Sequence, residues 1–241
     1  MNEAQQPVIR LTDGIWFKGG PVEWSLPAIK IFEGQWCAVI PDGADPIVDP
    51  ASAIAQIFAT LSPPIRGVVE LLGNDIFQLP YRDLQRLRSR LGYVQGYGGL
   101  LSNRTIKENI ALPLSVHGKL SIGQESTLIN NFLEKFSLSQ VKDFQPHEVD
   151  GYTRWRACIA RAMVLSPKSF ILEGIGDWEM DRGRGVAWTR IREYHEQGNA
   201  AVIICLSRQN PEFELWFEQQ GGLIVKYSRH NSNAKMGSLK D

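Results

Sequence analysis

The stretch at 91–114, LGYVQGYGGLLSNRTIKENIALPL, limits the possible folds more than any other part of the chain. It passes from an apolar run, Leu91–Val94, through Gly96, Gly98 and Gly99, into a helical pattern that starts at Asn103 or Thr105. That is a strand–loop–helix join, and the rest of the chain repeats the theme. Apolar runs at 36–40, 170–172 and 201–209 read as buried strands, with helical segments between them. Alternation of this kind points to a layered α/β fold.

Balanced charge, 26 basic residues against 26 acidic, argues against a nucleic-acid-binding protein. No run of about 18 apolar residues is present, so no segment is expected to span a membrane, and MNEAQQPVIR lacks a signal-peptide core. Cys37, Cys158 and Cys205 stand in apolar runs without CxxC spacing and are expected to be buried free thiols of a cytoplasmic protein. Residues 8–40 read as antiparallel strands, with turns at Gly19-Gly20-Pro21 and Glu33-Gly34. YRDLQRLRSR, 81–90, reads as a solvated helix, and 121–146 as helical with a polar connector. Helix 184–197 ends at Gly198, and the polar tail 229–241 is expected to be disordered. Asp177, Glu179 and Asp181 could be imagined as a metal cluster, but a solvated loop is the expectation there.

Between the strand at 36–40 and the next helix stands PDGADPIVDPASAIAQIFATL, 41–61. Pro41, Pro46 and Pro50 each lack a backbone donor, and Asp42, Asp45 and Asp49 would repel a polyphosphate. Asp49-Pro50 is a helix start, with Asp as cap and Pro at the first helical position. The next lysine after Lys30 is Lys107.

The 91–114 segment resembles the region around the Q-loop of ABC-transporter ATPases, and the likeness extends over residues 8–228. PPIRGVVELLGNDI resembles the text that follows the family's phosphate loop, and Arg156 with IARAM, SPK and a strand resembles its signature helix. The resemblance implies a P-loop NTPase-like α/β fold with an antiparallel β subdomain and an α-helical subdomain. Its parts would be 1–95 (β subdomain and first part of the core), 96–152 (helical subdomain), 153–228 (second part of the core) and the tail.

The same resemblance sets out where the motifs depart. The family's phosphate loop falls on the segment holding Asp45 and Asp49, its glutamine on Gly96, and its Leu-Ser-Gly-Gly-Gln on Val149–Thr153, with Asp150 and Gly151 inside. The metal-organising Asp falls on Glu173, the catalytic Glu on Gly174 and the histidine on Ser207. These departures imply a subunit that is not an enzyme, a pseudo-ATPase without cofactor or metal. It would dock a permease through Tyr97, Leu100, Leu101 and Arg104 and pair with itself or an active ATPase. Its place would be peripheral, on the cytoplasmic face of the inner membrane, with lipid or lipoprotein as cargo. The alternatives are a scaffold module without a permease, or a nucleotide binder using rearranged residues such as Gln95, Glu173 or Arg208.

Overall fold

The computed structural model describes residues 6–19, 21–43, 50–96, 99–117, 120–174, 185–198 and 200–229. Strand β1 (Ile9–Gly19) pairs antiparallel with β2 (Val22–Leu26), with β3 (Ile29–Ile31) and with β5 (Arg66–Leu71), so the antiparallel expectation for 8–40 holds as far as residue 31, while the strand at 36–41 pairs parallel. The fully apolar run forms β4 (Trp36–Pro41), buried at every position. Helix α1 (Pro50–Phe58) follows, and β6 (Asn74–Asp75) closes a short hairpin on β5. Helix α2 (Tyr81–Arg88) leads into β7 (Leu91–Val94). It has no buried residue and pairs Arg86 with Asp83, as a solvated face should.

Helices α3 (Ile106–His117) and α4 (Ile122–Lys135) come next, then single 3-10 turns at 139–141 and 146–148, and α5 (Gly151–Met163). The chain ends on β8 (Ser169–Glu173), α6 (Val186–Glu196), β9 (Ala201–Cys205), α7 (Pro211–Gln219) and β10 (Leu223–Arg229). The strands join in the order β6-β5-β1-β2-β10-β4-β9-β8-β7, with β3 beside β1. From β10 to β7 every pairing is parallel.

The parallel strands are buried on both faces because successive side chains alternate across a pleated sheet. Trp36, Ala38, Ile40, Phe170, Leu172, Val202 and Ile204 face the cluster that α3, α4, α5, α6 and α7 cover. Cys37, Val39, Ile171, Ala201, Ile203 and Cys205 face the opposite cluster, shared with α1 and the antiparallel strands. That two-sided burial is why these strands read as unbroken apolar runs. The three cysteines are buried and form no disulfide among the described residues, and burial pushes Cys37 up to about 12 and Cys158 to about 11.

Helix starts follow local chemistry. Thr105 and Glu108 form a reciprocal cap for α3: the Glu108 N–H donates to Thr105 Oγ1 (3.2 Å), and the Thr105 N–H donates to Glu108 Oε2 (2.8 Å). Ser121 and Gln124 do the same for α4. Helix α7 has no counterpart in the sequence reading. Its start signal was nevertheless present, since Asn210 caps Phe213 N–H at 3.0 Å and Pro211 occupies the first turn. Of the expected features, Asp45, Asp49, Tyr97, the 177–181 carboxylates and the tail from 230 lie outside the described residues.

Candidate functional site

Four parallel strands, β4, β9, β8 and β7, end on one edge of the sheet. In open α/β sheets the groups that handle ligands gather just beyond such carboxyl ends. Register brings Val39, Cys205 and Glu173 level with one another, with Val94 one step back beside Leu172. Gly96 and Glu173-Gly174, far apart in sequence, therefore meet along this edge, with Ser207 two residues past the end of β9.

Glu173 is the buried carboxylate of the edge, 7% exposed. Its Oε2 accepts the Tyr93 hydroxyl at 2.6 Å. Burial first, then the hydrogen bond and charge of Glu173, push the Tyr93 phenol far above its ordinary value, so the hydroxyl stays a donor. Gly96 stands against the same residue: a Cβ there would lie 3.0 Å from the Glu173 carbonyl oxygen. Gly174 has φ +87°, a conformation that favours glycine, and its N–H donates to the Cys205 carbonyl at 2.9 Å. Ser207 is half-buried just past β9, where the Tyr227 hydroxyl donates to the Leu206 carbonyl at 2.7 Å.

Asp150 and Gly151 lie at the start of α5. The last turn of α5 passes β7, because the Ala162 carbonyl oxygen lies 2.8 Å from where a Cβ on Gly92 would be. The N-terminus of α5, eleven residues before Ala162, is about 16 Å from it along the helix axis. Asp150 Oδ1 accepts the Thr153 N–H at 2.7 Å as the helix cap. That bond, with the nearby Arg156 charge, holds the Asp150 carboxyl below the usual carboxylate range. Tyr152 lies under the Arg156 guanidinium at 4.9 Å, and its hydroxyl accepts the Val186 N–H at 3.3 Å, tying the start of α5 to the start of α6.

The loop after β7 is fixed by one side chain that sequence reading passed over. Asn109 is fully buried on α3. Its Oδ1 accepts the Leu101 N–H at 2.7 Å, and its Nδ2 faces the carbonyls of Leu101 (3.1 Å), Arg104 (3.2 Å) and Thr105 (3.0 Å). Arg161 adds a tie from α5, donating from Nη1 to the Gly99 carbonyl at 2.8 Å. The two leucines of the loop separate: Leu100 packs on the core, while Leu101 is 43% exposed. Arg104 is exposed beside it, with only a loose pairing to Glu108 at 4.0 Å. The signal for the clamp was a polar residue, Asn109, between the apolar Ile106, Ile110 and Leu114 of one helix face.

A family model described as ABC transporter matches residues 51–173, from α1 to the end of β8. The chain belongs to the ABC transporter family. Among its curated relatives is the lipoprotein-releasing system ATP-binding protein LolD of Shewanella frigidimarina, 27% identical over 180 residues, 73% of this chain and 72% of that protein. LolD of Shewanella oneidensis is 28% identical over 73% of this chain and 75% of its own length. The methionine import ATP-binding protein MetN of Cupriavidus metallidurans is 32% identical over 117 residues, 48% of this chain and 34% of that protein.

Among solved structures, the dimeric ATP-binding cassette MJ0796 in a post-hydrolysis state bound to ADP and Pi superposes with a TM-score of 0.68. It is 21% identical and covers 82% of this chain and 87% of its own. The fold implied by the sequence resemblance is thus the fold observed.

These relationships correct the expectation that the chain is not an enzyme. It belongs to the ABC transporter family and its curated relatives are named ATP-binding proteins, and nothing among the described residues marks a pseudo-ATPase. That expectation rested on side-chain identity at single motif positions. Among the described residues no helix is long and apolar enough to cross a membrane, and no His/Cys/Asp/Glu group could hold a metal ion.

Proposed function

We propose that this chain is the ATP-binding-cassette subunit of a transport complex that handles lipids or lipoproteins. In this reading it is peripheral on the cytoplasmic face of the inner membrane and is held there by a permease. The observation that carries the proposal is the loop from Gly99 to Arg104. It is fastened from below by Asn109 and Arg161 and presents Leu101 and Arg104 outward. An immobilised loop bearing an exposed aliphatic and an arginine loses little freedom on binding and offers an anchor to a partner helix. In this reading 96–152 serves as the helical arm beside the permease.

The cargo class rests on the LolD relatives, which align along 73% of the chain. A dimer, with itself or with a second cassette, is the assembly proposed by analogy with dimeric MJ0796. Balanced charge leaves nucleic acid out of the partner set. The test is affinity purification of the tagged chain from detergent-solubilised membranes of its host. A polytopic membrane protein should co-purify in fixed ratio. Recovery of the chain alone, or only with proteins that lack membrane spans, would overturn the proposal.

A further inference from the structure

A cleft of about 500 Å³ opens between α4, the turn joining α5 to β8, and α6, away from the loop and the strand-end edge described above. Its size is that of a small-molecule site rather than of a protein interface. The floor is apolar: Leu128 and Phe132 are half-buried there, with Met163 behind them, and Phe132 stacks on Phe136 at 6.1 Å with 8° between the rings. The rim is cationic. Lys135, Lys168 and Arg190 face the cleft against one carboxylate, Glu193.

The three cations differ in how they are held. Arg190 donates from Nη1 to Glu193 (2.6 Å) and from Nε to the Lys135 carbonyl (3.0 Å), so its guanidinium is fixed at the seam between α4 and α6. Lys168 is paired with Glu33. Lys135, exposed in the last turn of α4, makes no ion pair among the described residues. Tyr194 contributes no charge, because burial pushes its phenol up to about 12 while its hydroxyl donates to the Pro167 carbonyl at 3.0 Å.

We propose that this cleft binds a small anionic amphiphile, its carboxylate or phosphate head held by Lys135 beside Arg190 and Lys168 and its apolar body laid on Leu128 and Phe132. An apolar ligand without charge would leave Lys135 unused, and a cationic one would meet it as a like charge. Because the cleft joins α4 to α6, an occupant bridges the helical arm to the strand-bearing core.

Decanoate and decyl phosphate, each below its micelle-forming concentration, are titrated calorimetrically into the full chain, with decyltrimethylammonium as the cationic control. Saturable one-to-one binding is expected for at least one of the two anions, the stronger of them identifying the head group, and none for the control. Lys135→Glu lies on the surface and should weaken binding on the order of tenfold, since it reverses the rim charge that has no ion pair among the described residues. Phe132→Ala should weaken it for both heads alike, and circular dichroism confirms that each variant is folded. If Phe132→Ala does not fold, Lys135→Glu alone decides. No saturable heat with either anion, equal affinity for the cationic amphiphile, or wild-type affinity in Lys135→Glu would overturn the proposal.

Discussion

Replacing Asn109 with alanine removes the amide that meets one N–H and three carbonyls of the loop at 101–105. Buried backbone groups left without partners cost about 1–3 kcal/mol each, offset where water enters, so Asn109→Ala should lose about 3 kcal/mol. Urea unfolding reads this as a lower midpoint at unchanged slope. Asp150 makes a smaller and pH-dependent contribution. Its cap on Thr153 N–H is worth about 1 kcal/mol, so Asp150→Ala should lose that much near neutral pH, while Asp150→Asn should keep most of it. The folded-state carboxyl is held below its ordinary value, so the charge-dependent part of the cap is present above the unfolded carboxylate pKa, about 3.9, and is lost as pH falls through the folded one. Unfolding curves of wild type and Asp150→Ala should therefore keep a constant gap from pH 7 to about 5 and converge below about 4. The Asp150 cap was legible because its partner is three residues away. The Tyr93–Glu173 contact spans 80 residues and left no local pattern.

At the scale of elements, β7 and α5 depend on a missing side chain. A Cβ at Gly92 would come within 2.6 Å of Phe170 Cδ2 and 2.8 Å of the Ala162 carbonyl oxygen, and neither strand nor helix has room to move. Gly92→Ala should cost about 2–3 kcal/mol although it adds one carbon, measured by thermal or urea unfolding. The buried strands were readable because burial on both faces leaves no polar positions to blur a short apolar run. The starts of α3 and α4 were readable because Thr105-x-x-Glu108 and Ser121-x-x-Gln124 state their caps in sequence. Helix α7 escaped because Glu212, Glu214 and Glu218 interrupt its apolar residues; only Phe213 and Phe217 are buried. The loop residues were legible as a group but not in their division of labour. Leu100 serves the core and Leu101 faces out, a difference set by Asn109 eight residues further on.

The whole molecule is an ABC transporter family chain whose order of strands and helices, α7 apart, was visible in the sequence, while its chemistry could not be inferred from motif spelling alone. Departures at Gly96, Gly174 and Ser207 pointed to an inactive subunit, and the family relationships overturned that inference. The position of a partner is a different kind of question, because it depends on surface that the fold holds still. The measurement that tests the central claim most directly is membrane flotation of the full chain beside its Leu101→Glu variant, expressed at equal level in the host, with folding checked by circular dichroism. Leu101 is exposed, so the variant should fold as wild type. A carboxylate forced into an apolar partner pocket costs several kcal/mol when unpaired, enough to release the chain. The account predicts wild type floating with the membranes and Leu101→Glu left in the unbound fraction. A Leu101→Glu chain that floats as wild type does would contradict docking through this loop.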